Sequence, residues 1–400
     1  MARNLSPDRR RGTHNPYTPD AGARPPMLAG RDAELAQLGS IVTQLAAGGT
    51  EQHVLITGLR GVGKTVLLNE FERLAQDAGW PAETKEVGRR SSVATLVGRV
   101  ARRALLQMST RKRVGDRLRR AMSVLKSFEL ALPGEVSFKL EVGPALGEAD
   151  SGDLADDLRD VLVAVGEAAA EAGSGFALIF DELQNLSADD YEALIMALHR
   201  VKQKGLPVAF VGAGLPLLPT LTAEAKSYAE RMFAYATLGP LSEQAAREAL
   251  AAPARGQGVR WEDGAVRHVL AYTEGYPYFL QEYGRRAWAQ ETGAVISTRD
   301  VRATQVLVED FLDTSFFEPR IGRLAESERT YASAMAALGD GPQQSSAVAG
   351  RLGRAIGSVS TLRDALIASA VIYSPRRGYV DFTVPHCASF VRRRYPLGGG

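Results

Sequence analysis

The chain has 400 residues, 45% of them hydrophobic and 24% charged, with a formal net charge of +2 and one cysteine, Cys387. That length suggests two or three domains of about 100–200 residues each, and the composition is that of a globular protein, not of a fibrous or wholly disordered one. No apolar run approaches the roughly 18 residues of a membrane span, no apolar signal region opens the chain, and a lone cysteine excludes an internal disulfide; the expected setting is the cytoplasm, without a membrane. The five histidines are scattered, with no metal-ligand spacing around Cys387.

The net charge hides its distribution. Basic residues cluster in 1–24, in 99–126 and near the end of the chain, while acidic ones crowd 148–171. Residues 1–26 hold Arg3, Arg9, Arg10, Arg11 and Arg24 among prolines, with few apolar residues. They read as a disordered basic tail, either a solvated leader or a weak, salt-sensitive hold on nucleic acid.

A first helix follows, with Leu35, Leu38, Ile41, Val42 and Leu45 at helical spacing. Arg31, just before it, is a candidate for contacting a nucleotide; a surface ion pair is the competing reading. Next comes the apolar run His53–Thr57, then Gly58-Leu59-Arg60-Gly61-Val62-Gly63-Lys64-Thr65, then a helical run from Val66. Strand, G-x-x-x-x-G-K-[ST] and helix together form a phosphate-binding loop. Gly58, Gly61 and Gly63 let the backbone from Gly58 to Val66 turn its N–H groups toward phosphate oxygens, at the positive end of the helix dipole. Lys64 reaches the β- and γ-phosphates, and Thr65 offers its hydroxyl to Mg²⁺. The expected cofactors are ATP and Mg²⁺.

Residues 91–127 read as helical and strongly basic, either a solvated face or a nucleic-acid or partner surface. Period-two alternation in Phe128-Glu129-Leu130 and Val136–Val142, around Pro133-Gly134, predicts a β-hairpin. A helix over 154–171 precedes the strand Phe176–Phe180, which ends in Asp181-Glu182. Ligands bind at the carboxyl ends of such strands. Asp181 would hold Mg²⁺, and Glu182 would polarise the attacking water.

A helix over 188–204, a strand at 208–211 and a short strand at about 234–238 complete an alternating pattern, which means an α/β fold with a parallel sheet. From Ser242 the strands stop, and four helices follow at about 243–252, 262–273, 276–290 and 298–313. Pro277 stands in the first turn of the third, where its missing N–H is tolerated. After about Ser327 come three helices and a hairpin, 371–374 with 379–383, around Pro375-Arg376-Arg377-Gly378. That order suggests a winged helix-turn-helix. Its third helix offers Ser360 and Arg363, its wing Arg376 and Arg377, to DNA; packing or protein docking is the alternative. Arg392, Arg393 and Arg394 come after.

Taken together, Gly30-Arg31, Gly58–Thr65, Asp181-Glu182, Ser227-Tyr228-Ala229-Glu230-Arg231 and Gly275-Tyr276-Pro277-Tyr278 make the chain resemble the AAA+ ATPases, in a bacterial branch similar to the origin-recognition initiators and the STAND signalling ATPases. The resemblance spans roughly 27–395. It implies a P-loop NTPase core at 27–240, with the basic helix and hairpin inserted at about 91–146, a helical lid at 241–325 and a winged helix at 326–396. ATP would sit between core and lid. It also implies that Arg231 is the arginine a neighbouring subunit's ATP sees, in an ATP-dependent homo-oligomer; a structural salt bridge is the other reading.

Two family features are missing. The run Val211-Gly212-Ala213-Gly214 lacks the polar side chain that orients the water, and the lid helix lacks its γ-phosphate arginine, Arg285 and Arg286 lying too far along. The expected activity is therefore a slow ATPase, producing ADP and phosphate, that serves as a switch and binds duplex DNA. The alternative is a STAND-like signalling or scaffolding ATPase whose winged helix and residues 99–142 bind a protein partner.

Overall fold

The computed structural model describes residues 14–20, 22–111, 115–131, 142–290 and 293–398. Its contacts divide the chain into two compact units. One comprises Arg31–Gly58 and Lys64–Leu238; the other comprises residues up to Gly30, Leu59–Gly63 and everything from Gly239.

The first unit runs α1 (Asp32–Ala46), β1 (His53–Gly58), α2 (Lys64–Asp77), β2 (Ala82–Glu86), α3 (Val93–Arg111), α4 (Asp116–Ala131), α5 (Leu154–Glu171), β3 (Phe176–Asp181), α6 (Ala188–Gln203), β4 (Val208–Gly214), α7 (Leu218–Ala225) and β5 (Phe233–Leu238). The strands form one five-stranded sheet in the order β2-β3-β4-β1-β5, and every neighbouring pair is parallel. Strands β1, β3 and β4 are buried along their whole length. A strand covered on both faces needs a continuous apolar run, and this is why these three were readable. Strand β2, Ala-Glu-Thr-Lys-Glu, was not predicted; it lies at the sheet edge, where charged side chains are tolerated. Phe176, Phe180 and Phe210 meet Leu162, Val165, Leu194 and Leu198 in the core. The ring edge of Phe180 faces Phe210 at 5.9 Å.

The expected hairpin needs correction. Phe128, Glu129 and Leu130 belong to α4, which runs to Ala131. Leu118, Met122, Leu125 and Phe128 are buried at three- and four-residue spacing, so the apparent alternation is the last turn of an amphipathic helix. The second arm, apart from Val142, lies outside the described residues.

The second unit contains α8 (Glu243–Gly256), β6 (Arg260–Trp261), α9 (Asp263–Thr273), α10 (Pro277–Gln290), β7 (Val295–Ile296) and α11 (Thr298–Phe311). As the sequence suggests, Ser242 caps α8, its side chain accepting from the N–H of Ala245. Strands do not stop at Ser242, because β6 and β7 pair in parallel. A π-helical turn, Leu312–Phe317, leads into α12 (Glu318–Ile321).

There follow α13 (Glu326–Ala337), β8 (Gln343–Gln344), α14 (Ser345–Arg351), α15 (Ser360–Ala368), β9 (Ile372–Tyr373), β10 (Tyr379–Phe382) and α16 (Cys387–Arg394). The last three strands form an antiparallel sheet ordered β8-β10-β9. Among the described residues no helix is long and apolar enough to cross a membrane.

The expectation of a featureless basic tail fails from His14 onward. Tyr17 is buried. Its hydroxyl donates to Leu250 O at 2.7 Å and accepts from Trp261 Nε1 at 3.0 Å. Asn15 Nδ2 donates to Arg285 O, and the Thr18 N–H to Gln281 Oε1. One aromatic ring with two satisfied hydrogen bonds outweighs the polar composition around it.

Candidate nucleotide site

Gly58 closes β1 and Lys64 opens α2, with Leu59–Gly63 between them. Gly61 and Gly63 hold φ of +81° and +96°, a region that L side chains avoid. Gly58 does not use that freedom; its carbonyl accepts from Lys64 Nζ at 2.9 Å. Lys64 is 7% exposed, and Val66 continues the first turn of α2. The Gly61 carbonyl accepts from the Tyr278 N–H at 3.3 Å, one residue beyond Pro277, which begins α10. A Cβ at Gly61 would lie 3.2 Å from Tyr278 Cβ and 3.5 Å from the Tyr276 ring.

The Thr65 hydroxyl donates to Asp181 Oδ2 at 2.5 Å, and the N–H of Glu182 donates to Asp181 Oδ1 at 2.8 Å. Burial raises the Asp181 carboxyl above the usual carboxylate range, against the two hydrogen bonds it accepts. Glu182 stands in the left-handed region, φ +56° and ψ +40°, a strained conformation for a residue with a side chain and one that clusters at functional sites. Its carboxylate accepts from Gln184 Nε2. Gln184 Oε1 accepts in turn from the N–H of Leu215, just beyond β4, at 3.1 Å. Sequence reasoning missed Gln184. The available signal was its place two residues after Glu182, together with the bare Gly212-Ala213-Gly214.

Arg31, the other nucleotide candidate, is buried and pairs with Glu34 at 3.7 Å, so the pair it makes is not the surface ion pair of the competing reading. Burial lowers its pKa. Arg231 ends a short 3₁₀ turn and is exposed. Its carbonyl accepts from Gln52, and among the described residues its guanidinium makes no ion pair, so the salt-bridge reading is not realised there.

The basic residues near the end of the chain divide into two sets. Arg376 and Arg377 are exposed, with Arg376 stacked 3.9 Å over the Tyr379 ring. Ser360 donates to Gly357 O at 2.9 Å, and Arg363 pairs with Asp364 at 2.8 Å. Arg392, Arg393 and Arg394 instead hold Asp340, Asp313 and Glu318.

These residues fit a magnesium nucleotide. The Thr65 hydroxyl and the Asp181 carboxylate already converge as hard oxygen donors of the kind Mg²⁺ takes, and Mg²⁺ keeps most of its waters. Among the described residues there is no cluster of three or more His, Cys, Asp or Glu suited to a metal held by protein alone. Gly61 and Gly63, at positive φ, give the loop the curled backbone that a phosphate cradle needs.

Residues 27–211 match the family profile described as AAA ATPase domain. Residues 314–391 match a domain of unknown function, DUF8462. No curated protein matches the chain. Among solved structures, the chain is similar to the Walker-type ATPase paby2304 of Pyrococcus abyssi, at 15% identity and a TM-score of 0.57, covering 92% of this chain and 97% of that one. Further likenesses are to the Aeropyrum pernix ORC1 protein in complex with DNA, at 16% identity, a TM-score of 0.46 and 92% and 94% coverage, and to the Thermotoga maritima RuvB Holliday junction branch migration motor, at 16%, 0.46, and 90% and 96%. At such identities the likeness concerns the fold, and the P. abyssi ATPase shares it. Sheet order, phosphate loop and family profile agree: the chain carries an AAA+ ATPase domain, over residues 27–211, built on the α/β P-loop NTPase fold.

Proposed function

We propose that the protein is a slow, cytoplasmic ATP-hydrolysing switch that binds duplex DNA through a C-terminal winged helix. Gly58–Val66 bind the phosphates. Thr65 and Asp181 would hold Mg²⁺, which would supply positive charge against the phosphate oxygens. Lys64 stabilises the charge that develops on the transferring phosphoryl group. Glu182 orients the attacking water and accepts its proton. Arg231, exposed and without an ion-pair partner among the described residues, would reach a neighbouring copy's nucleotide in a homo-oligomer. Slow turnover is in keeping with the absence of a polar side chain from Val211 to Gly214.

The observation that carries the DNA reading is the exposed Arg376-Arg377 pair at the hairpin after α15. A basic wing tip suits phosphate contacts, with α15 as the recognition helix. The test is fluorescence anisotropy of labelled random duplex DNA with ATP and with ADP, at two salt concentrations. Binding that weakens steeply with salt and differs between nucleotides supports the switch. Absence of DNA binding in both states, with ATP still bound, sinks the DNA reading. For the ATPase part, Lys64→Ala should lose nucleotide binding, and Glu182→Gln should bind ATP but not turn it over.

A second reading, the signalling or scaffolding ATPase with a protein partner at 99–142 or on the winged helix, is favoured by one feature. The Tyr276 hydroxyl donates to Thr383 O at 3.2 Å, and the His386 ring stacks on Tyr272 at 4.7 Å. The C-terminal segment is thus tied to the end of α9 and to Tyr276, just before α10. A salt-insensitive protein partner would decide for it.

A further inference from the structure

The turn after Asp181 lies on a bare patch of β4. Gly212 and Gly214 stand two residues apart on a strand and so share one face. A Cβ at Gly212 would collide with Leu183 Cδ1, and one at Gly214 would lie 2.5 Å from Gln184 Oε1 and 2.8 Å from Leu218 Cδ1. Each missing side chain admits one residue of the turn, Leu183 at Gly212 and Gln184 at Gly214. The far end of the turn is fixed as well: the Asn185 N–H donates to Glu182 O at 2.9 Å, and Asn185 Nδ2 donates to Val87 O at 2.8 Å.

Gln184 therefore has little freedom. Its Oε1 is pinned by the Leu215 N–H at 3.1 Å, which leaves Nε2 to donate to Glu182 Oε2. Glu182, on a left-handed backbone, has one carboxylate oxygen committed to Gln184 and, among the described residues, no hydrogen-bond donor at the other.

From this geometry we infer that Gln184 is a positioning residue for ATP hydrolysis. It fixes the rotation of the Glu182 carboxylate through the amide that the Leu215 N–H holds in place. The inference rests on the reading of Glu182 as the base. In the step concerned, the water oxygen bonds to the γ-phosphorus, the bridging oxygen leaves on ADP with the bonding electron pair, and the water's proton passes to the Glu182 oxygen not held by Gln184. A base misplaced by about 1 Å costs on the order of 10²-fold in rate, so one amide can govern turnover without touching the nucleotide.

The deciding variant is Gln184→Glu. It keeps the shape and the acceptor for the Leu215 N–H, but sets a carboxylate oxygen against Glu182 in place of the donor, so that the contact turns from attractive to repulsive. Steady-state ATP hydrolysis, binding of a fluorescent ATP analogue and thermal melting are compared for wild type, Gln184→Glu, Gln184→Ala and Glu182→Gln. The expected result is a kcat lowered by about 10- to 100-fold in both Gln184 variants, with KM and analogue affinity unchanged. If Glu182→Gln abolishes turnover while Gln184→Glu matches wild type, Gln184 serves packing alone and the inference is overturned, with the base assignment intact. If Glu182→Gln turns over normally, the base assignment falls and the inference with it.

Discussion

The Thr65 hydroxyl donates a 2.5 Å hydrogen bond to Asp181 Oδ2 across 116 residues of sequence. This bond joins the first turn of α2 to the end of β3 and gathers the oxygens suited to a hydrated magnesium ion.

At neutral pH Asp181 should leave the folded protein less stable than an uncharged residue of the same shape would. Burial raises its pKa in the folded state, so between the unfolded and folded values the native state holds more protons, and stability falls as pH rises through that window. Asp181→Asn removes this effect and can keep both hydrogen-bond partners. The nucleotide-free variant should melt higher than wild type at neutral pH. The gain should vanish below the unfolded pKa of about 4, where both forms are neutral. Magnesium-dependent ATP hydrolysis should be lost. Thermal melts over a pH series, beside an ATPase assay, check both parts; a variant that melts lower at neutral pH contradicts the assignment.

Gly61 and Gly63 separate backbone strain from crowding. Both have positive φ, but only Gly61 has Tyr278 within reach of a Cβ, and nothing lies within 4 Å of one at Gly63. Alanine at either position should cost about 1–2 kcal/mol of backbone strain. Gly61→Ala should cost more and weaken ATP binding further, because Tyr278 must yield. Equilibrium denaturation and titration with a fluorescent ATP analogue measure the two effects.

His53 should give the protein an acid-sensitive core. It is fully buried between Phe210 and Phe233, Nε2 has no partner among the described residues, and burial, with Lys202 adding repulsion, pushes its pKa down to about 4. The unfolded chain takes up the proton first as pH falls below about 6.5. The stability contribution is therefore complete above that value and is lost on the way down to about 4. Its size is on the order of 3 kcal/mol. His53→Leu should flatten that part of the profile, as read by denaturant midpoints between pH 7 and 4.

Arg376→Ala and Arg377→Ala should each weaken binding to duplex DNA nearly equally for all sequences. Each should lower the slope of log K against log salt by about 0.9. Arg393→Ala should leave that slope unchanged and instead destabilise the fold, since Arg393 holds Asp313 at 2.7 Å. Anisotropy titrations at four salt concentrations distinguish the two behaviours.

These contrasts show where the sequence is informative. Strands β1, β3 and β4 and the segment Gly58–Thr65 are local patterns: a run of apolar residues or a fixed spacing identifies each. Arg392–Arg394 look like Arg376-Arg377 in the sequence, but their acidic partners come from distant segments, so only the fold shows that they are paired. Gln184 was invisible for the same reason, since its role depends on two glycines in another strand. Phe128–Leu130 failed differently: three residues are too few to tell a period of two from the end of a period of 3.6.

Tyr17 has a consequence for how the protein is made. It leaves the ribosome before Trp261, whose indole N–H it accepts and which follows 244 residues later. At about 5–20 residues per second, the ring waits roughly 10–50 s for its slot. Meanwhile the residues of the α/β unit have all been synthesised, and that unit can fold inside a loop whose two ends are not yet joined. Such closure over a long separation is slow. A chain split near Gly239 would thus give an N-terminal fragment with an unburied Tyr17 and a C-terminal fragment with an open slot at Leu250 and Trp261, two halves suited to complement one another when mixed.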